Sequence, residues 1–459
     1  MTILNVIKRS RLEGALRIEA EFYKPEDLAM LAKLRSLGSR ELAYYCAFIK
    51  KGVFDLPPSN YTNDGVPLIR TSEIKSIIAD LSSVVRIKTS THQNNAKTEL
   101  ESGDLVFTKI GANIGDVAIL PSTDKVYNFS QNVAGAKIHR NRIAPEYLAC
   151  FFSTRYGRSQ IKRIQMLSGQ GKLELVDIKK LLVPPASDGF QRAIANVFFL
   201  AGKKLVFAKE RYAEAEQLLL AELGLLNWIP PRALTYIRQY SEVFHSQRLD
   251  AEHFQPMYDK IIVRIAKFTP KRLSMFASQI LETTKFHDGK TYRYIEIGDV
   301  NPKTGEVGFT EREIKDLPPN AKIKIKGGEL IVSKVRPTRG AVGVVSEDCK
   351  ENGVCSSAFT VLHVSSPMRE FLQVYLRSVV GKSLLEKQCK GTSYPTIDDI
   401  DVKNLPVPII DDKKIEKISA LVMQSDIARR EAKELLEKAK RAVEMKIEIS
   451  EDVGFRLVA

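Results

Sequence analysis

Residues 102–120 read SGDLVFTKIGANIGDVAIL, and residues 327–345 read GGELIVSKVRPTRGAVGVV. At an offset of 225, Gly103 falls on Gly328, Lys109 on Lys334 and Gly115 on Gly340. Each stretch holds two short apolar, β-branched runs punctuated by glycine, the pattern of strands joined by a tight turn. The echo extends along the chain. RIEAEFYKP at 17–25 returns as RLDAEHFQP at 248–256, an offset of 231. YLACFFSTRYGRSQIKR at 147–163 returns as FLQVYLRSVVGKSLLEK at 371–387, an offset of 224 that puts Gly157 on Gly381 and Ser159 on Ser383. LELVDIKKLLVPP at 173–185 and IDDIDVKNLPVPI at 397–409 keep that offset, as do Ala208-Lys209-Glu210 and Ala432-Lys433-Glu434. Chance similarity does not hold its order while the offset drifts only from 231 to 224. The chain is a tandem duplication.

Each copy opens with a strand-rich part and closes with a long helix. The strand-rich parts span 1–185 and 229–408, with helices expected around 145–165 and 367–390 and a turn at Asn301-Pro302-Lys303-Thr304-Gly305. The helices span 186–228 and 409–450, and 451–459 remain as a C-terminal tail. In the first helix Ile194, Phe198, Ala201, Leu205, Ala208, Tyr212, Ala215 and Leu219 follow alternating steps of 4 and 3, the a/d seam of a coiled coil. Adding 224 gives Ile418, Val422, Ser425, Arg429, Ala432, Leu436, Ala439 and Val443, a poorer seam in the same register. Pro184-Pro185 and Pro408 precede the helices and Pro230-Pro231 follow the first, acting as boundaries. Neither helix carries a core of its own, so packing them on each other is the economical solution; two unrelated surface helices are the alternative. The expected fold is α+β: two duplicated globular domains joined by two long helices in an antiparallel coiled coil, which would set the domains at opposite ends of a rod.

The 459 residues carry 70 Lys and Arg against 55 Asp and Glu, a formal net charge of +15. Such an excess points to a polyanionic partner, either nucleic acid or an anionic surface. The opening MTILNVIKRSRLEG has no apolar run of signal-peptide length, and Gly202, Lys203 and Lys204 interrupt the most apolar stretch near mid-chain. Cys46, Cys150, Cys349, Cys355 and Cys389 form no close C-x-x-C pair, so the expectation is free thiols in a reducing cytoplasm and no metal site.

Catalytic signatures are missing. GKS at 381–383 ends like a phosphate-binding loop, but the required glycine is Leu376. SGQGKLE at 168–174 has no hydroxyl residue after its lysine. DLPP at 55–58 and 316–319 lacks the Asp/Asn-Pro-Pro-aromatic order of adenine methyltransferases. None of the six histidines forms H-x-x-x-H, and G-x-S-x-G is absent. The acids of DDID at 398–401 suit the first turn of a helix. No covalent chemistry is expected of this chain.

The duplicated layout resembles the specificity (S) subunit of type I restriction–modification systems, over nearly the whole chain. RIEAEFYKP and RLDAEHFQP resemble that family's domain openings, and the two glycine-punctuated stretches resemble its core strands. LVPPASDGFQRAIA, with Gln191, resembles its proline-rich approach to the helix; PVPIIDDKKIEKIS departs by lacking that glutamine. The resemblance implies two target-recognition domains, each reading one half of a bipartite double-stranded DNA target, with the helices setting the spacer. It further implies two methyltransferase subunits docked on the helices and, in restricting complexes, two restriction subunits. S-adenosylmethionine and ATP with Mg²⁺ would belong to those partners and no cofactor to this chain. The rival readings are a nucleic-acid-modifying enzyme in its own right and a helical scaffold without sequence readout.

The DNA-contact candidates follow from chemistry and position. Arg70, Lys109, Lys172, Lys334, Arg336, Arg339 and Lys390 are cations suited to phosphate or to guanine acceptors. Asn113, Gln131, Gln170, Ser333, Thr392 and Tyr394 are polar residues on expected turns. GANIG becomes RPTRG and SGQGK becomes KGTSY between the copies, so turns diverge where strands repeat. Arg17 with Glu21 and Arg248 with Glu252 are expected as structural ion pairs across one helical turn.

Overall fold

The computed structural model describes residues 6–9, 12, 18–165, 171–391 and 393–459. The first copy contains β1 (Cys46–Lys51), β2 (Val66–Ile69), β3 (Leu105–Thr108), β4 (Val117–Ile119), β5 (Val126–Phe129) and β6 (Val133–Ile138). Two helices follow, α1 (Pro145–Ser153) and α2 (Arg155–Ile164), and then the long helix α3 (Asp188–Glu222). The second copy contains β7 (Ser278–Gln279), β8 (Thr291–Ile295), β9 (Leu330–Ser333), β10 (Val342–Val344), β11 (Gly353–Ser356) and β12 (Phe359–His363). It continues with α4 (Met368–Arg377), α5 (Val379–Gln388), the long helix α6 (Asp412–Glu448) and α7 (Glu451–Val458).

The duplication holds for the central strands, while the first copy's second sheet has one extra strand, Tyr61–Thr62. One sheet runs β1-β6-β3-β4 in the first copy and β7-β12-β9-β10 in the second. In a second sheet β2 lies parallel to β5, and β8 lies parallel to β11. Alternation of side chains explains the layering. Leu105 and Phe107 face a core with Tyr147, Leu148 and Phe152 of the helix pair, while Val106 faces the other sheet with Tyr127 and Phe129. Leu330 and Val332 join Phe371 and Tyr375, while Ile331 joins Ile295 and Cys355. The glycines before these strands have a reason. Gly103 and Gly328 take φ of +86 and +83, and the acid that follows closes the turn. Asp104 accepts the Glu101 N–H at 2.8 Å, and Glu329 accepts the Lys326 N–H at 2.7 Å.

The chain divides into two compact units, residues 1–205 with 430–459 and residues 206–429. In the first, Phe190, Ile194 and Phe198 of α3 share a core with Ala439, Val443 and Ile447 of α6. Lys204 meets Glu431 at 2.6 Å, and the Ser187 N–H reaches Glu451 at 3.1 Å, so the segments run antiparallel. In the second, Ala215 and Leu219 pack with Ile418 and Val422. The Ser425 hydroxyl donates to the Ala208 carbonyl at 2.7 Å, and Lys414 pairs with Glu222, again antiparallel. Of the seam residues, Ala201, Ala432 and Ala439 are also buried, whereas Leu205, Tyr212, Arg429 and Leu436 are half-buried. Among the described residues no helix is long and apolar enough to cross a membrane.

Two local expectations change. The last residues are the helix α7 rather than a tail; its Ser450 cap accepts the Val453 N–H at 3.4 Å, and Phe455 lies 6.4 Å from Phe190. Arg248 does not pair with Glu252. It grips Asp250 at 2.5 Å and donates to the Gln388 and Cys389 carbonyls, while Glu252 meets Arg232 at 3.3 Å. Glu252 sits in a short 3₁₀ turn (Ala251–Phe254) and Arg248 in the irregular stretch before it, so the two do not share an α-helical turn. Arg17 lies outside the described residues, and Glu21 pairs with Lys24. The expected turn at 301–305 does form, with the Gly305 N–H donating to the Asn301 carbonyl at 2.8 Å.

Gly157 and Gly381 occupy matching places where the second helix of each pair crosses the end of the first. A Cβ would lie 2.5 Å from the Phe151 carbonyl oxygen at Gly157 and 2.2 Å from the Tyr375 carbonyl oxygen at Gly381. Backbone cannot yield as a flexible side chain does. Gly157→Ala and Gly381→Ala are each expected to destabilise by about 1–3 kcal/mol, read as a lower urea midpoint at unchanged slope. A midpoint equal to the parent's in both variants contradicts the close crossing.

Candidate nucleic-acid interface

In the first copy, the turns after β2, β3 and β5 converge. Asn113 donates to the Thr71 and Ile74 carbonyls at 2.9 and 2.8 Å, tying the turn after β3 to the turn after β2. The Lys109 N–H donates to the Asn132 carbonyl at 2.9 Å, and the Leu173 N–H to the Lys109 carbonyl at 3.0 Å. An open cleft of about 340 Å³ lies among these turns, lined by Asp55, Tyr61, Arg70, Gln131 and Asn132. Gln131 donates to Asp55 at 2.8 Å. Arg70 is braced by the fully buried Glu73, with Nη2 to Oε1 at 3.1 Å, and the same carboxylate accepts the Arg70 N–H at 2.8 Å. Lys172 pairs with Glu174 at 2.7 Å. Gln170 lies outside the described residues.

The second copy repeats the framework with different electrostatics. The Lys334 N–H donates to the Ala358 carbonyl at 2.8 Å and the Ile397 N–H to the Lys334 carbonyl at 2.9 Å, matching the bonds at Lys109. Lys334 then pairs with Asp399 at 3.2 Å, and Asp399 also accepts the Thr360 hydroxyl at 2.7 Å. Burial pushes the Asp399 carboxyl up, but the Thr360 hydroxyl and the Lys334 charge outweigh it and hold it below the ordinary range. The matching residues in the first copy are Leu175 and Ala134. Lys109 therefore has no such carboxylate. It is 8 % exposed, and burial, with the Lys172 and Lys51 charges, lowers its pKa against the opposing pull of Glu174.

Among the remaining second-copy candidates, Arg336 and Tyr394 lie together. Arg336 adopts φ +47 where the first copy has Gly111, a strained backbone for an L side chain. Its guanidinium lies 5.2 Å from the Tyr394 ring centroid, and its N–H donates to the Pro395 carbonyl at 2.8 Å. Arg339 is exposed in the same turn. Lys390 pairs with Asp398 at 2.7 Å, and the Asp398–Asp401 acids cap the helix that follows. Ser333 is spent locally, donating to the Val335 carbonyl at 2.8 Å. Thr392 lies outside the described residues. Sequence reasoning missed Lys51, Asp55, Glu73 and Asp399, the groups that surround or brace the candidates. The leucine-for-aspartate difference between 175 and 399 was the available signal for the last of these. Among the described residues, no three His, Cys, Asp or Glu side chains gather to hold a metal ion.

Glu73 is the keystone of the Arg70 turn. Glu73→Ala is expected to cost about 1–3 kcal/mol, because it strands the Arg70 N–H and releases the guanidinium; chemical denaturation measures it. Glu73→Gln, which can still accept, is expected to lose less, and an equal loss for both variants argues against the hydrogen bonds as the cause.

No protein-family model matches the chain, and no curated protein matches it. Among solved structures it is similar to the S subunit of a type I restriction–modification system from M. genitalium, at 12% identity over 92% of this chain and 95% of that one, with a TM-score of 0.37. It is similar to a chain from a structure of complex assembly and conformational transition of the type I R-M system, at 15% identity over 92% and 97%, with a TM-score of 0.29. The HsdS subunit from Thermoanaerobacter tengcongensis matches at 15% identity over 92% and 96%, with a TM-score of 0.28.

Proposed function

We propose that this chain is the DNA-specificity subunit of a type I restriction–modification complex, in which each copy reads one half of a bipartite target. One observation carries the reading: the two copies share strand order, turn-closing acids and framework hydrogen bonds, yet differ in the side chains their turns present. A fold duplicated for stability alone has no reason to place a buried lysine at 109 and an ion-paired one at 334. Two readers of different half-sites do.

In this reading Lys109 contacts a phosphate, and Arg336, Arg339 and Lys390 serve the second half-site. Arg70 and Gln131, each braced by a carboxylate, face the cleft of the first. The chain itself performs no covalent step. The target adenine is methylated by partner subunits that carry S-adenosylmethionine and take the base out of the stack. The long helices give those partners a surface. Phe199 and Leu200 of α3, then Val206 and Phe207, are between 43 % and 61 % exposed, and Met423 and Ile427 of α6 are also exposed. Exposed apolar residues of this size on one helix suit a protein partner.

The test is a map of methylated adenines in the native genome with and without this gene. A split motif that disappears on deletion is the expected result, and an unchanged map contradicts the reading. A second measurement addresses the spacer. Inserting four residues into each long helix adds about 6 Å of helix, close to two base-pair steps. The motif is expected to keep both halves and lengthen its spacer; an unchanged spacer removes the helices as the ruler.

A further inference from the structure

One position differs between the copies in charge but not in backbone. Arg70 leaves β2 with φ −114 and ψ 175, and Glu296 leaves β8 with φ −116 and ψ 173. Both strands lie parallel to their partners in the same register, Ile69 opposite Phe129 and Ile295 opposite Cys355. An acid three residues on closes each turn: Glu73 accepts the Arg70 N–H at 2.8 Å, and Asp299 accepts the Glu296 N–H at 2.8 Å. The turn is therefore made by Glu73 and Asp299. It holds a cation in one copy and, in the other, an anion that adds a bond from the Asp299 N–H, so the turn-closing acid does not by itself dictate the sign of the charge there.

The chemistry of the two side chains is opposite. Arg70 commits Nε and Nη2 to Glu73 and the Ser83 carbonyl, which fixes the guanidinium plane; Arg70 lines the same open cleft as Asp55 and Gln131. Glu296 is half-buried, accepts the Asp299 N–H, and has no ion-pair partner among the described residues. A carboxylate near DNA is repelled by the phosphates and by the acceptor-rich edge of guanine, so only a base donor rewards it. A braced arginine at the same place meets the reverse condition.

We propose that this turn-opening position reads a base in each copy, with Arg70 taking the N7/O6 acceptor edge of a guanine and Glu296 the N4 amino group of a cytosine. The assignment rests on the two-reader function proposed above and adds a residue and a base to each half.

The experiment uses the full chain with its methyltransferase partner and a pool of randomised duplexes, sequencing the bound fraction. Glu296→Gln keeps an acceptor for the Asp299 N–H, and Arg70→Lys keeps a cation against Glu73, so both preserve the turn. Unchanged thermal melting confirms this for each variant. Glu296→Gln is expected to lower the preference for one C·G pair in one half by about tenfold or more, leaving the other half intact. Arg70→Lys is expected to do the same for one G·C pair in the opposite half. Glu296→Arg is expected to convert the cytosine preference to guanine at that position. A split motif retained unaltered by all three variants overturns the base-reading assignment and leaves the two-reader function standing. Loss at an A·T pair, or loss by both variants in the same half, also overturns it. A parent protein that enriches no split motif overturns the function itself.

Discussion

The bond from the Ser425 hydroxyl to the Ala208 carbonyl, 2.7 Å long and fully buried, measures how close α3 and α6 come. Only small residues permit a side chain on one helix to reach the backbone of another. Ala201, Ala208 and Ala215 on α3 and Ala432 and Ala439 on α6 supply them, and all are fully buried. The helix pair is also continuous with the core of each copy. Phe190 and Ile194 sit in one cluster with Tyr147 and Phe152 of the first copy, and Leu219 sits in one cluster with Phe371 and Tyr375 of the second. A helix that is part of a packed core transmits its position stiffly.

Ser425 also corrects a view of the seam. Read as hydrophobic periodicity, a serine at a seam position is a weakness. In the folded chain its hydroxyl is satisfied by a carbonyl, and its small volume permits the approach. A buried polar group with a partner costs little, and it favours one register over its neighbours because a shift by one residue would leave it unpaired.

The large features were legible because they are local or repeated. Strand alternation in LVFT and LIVS, glycine followed by an acid before each, and the 4-and-3 steps of the helices each depend on a few adjacent residues. The braces were not. Asp55 reaches Gln131 across 76 positions, and Asp399 reaches Lys334 across 65. No periodicity encodes such a contact, because it depends on where two turns meet in space. Arg248 failed for a related reason. A spacing of four residues implies a neighbour only if the segment is an α-helix, and here it is irregular chain entering a short 3₁₀ turn. Comparison between the copies recovers part of what single positions hide. Leu175 opposite Asp399 marks a difference in electrostatics that neither stretch reveals alone.

Several of the proposed DNA-binding cations already hold carboxylates, and the magnitudes decide what that means. Exposed pairs such as Lys390–Asp398 and Lys172–Glu174 are worth about 0–1 kcal/mol, so exchanging the carboxylate for a phosphate is nearly neutral. Lys334 is held more firmly, since Asp399 is itself fixed by Thr360 and its carboxyl is held below the ordinary range. Lys109 stands at the other extreme. Its stem is buried, its amine lacks the carboxylate that its counterpart has, and burial with two neighbouring lysines disfavours its charge. In the proposed reading, a phosphate there would offset an existing cost rather than break an existing bond. The same framework position thus carries a lysine without an ion-paired carboxylate in one copy and with one in the other, set by leucine or aspartate two residues beyond the strand-end hydrogen bond.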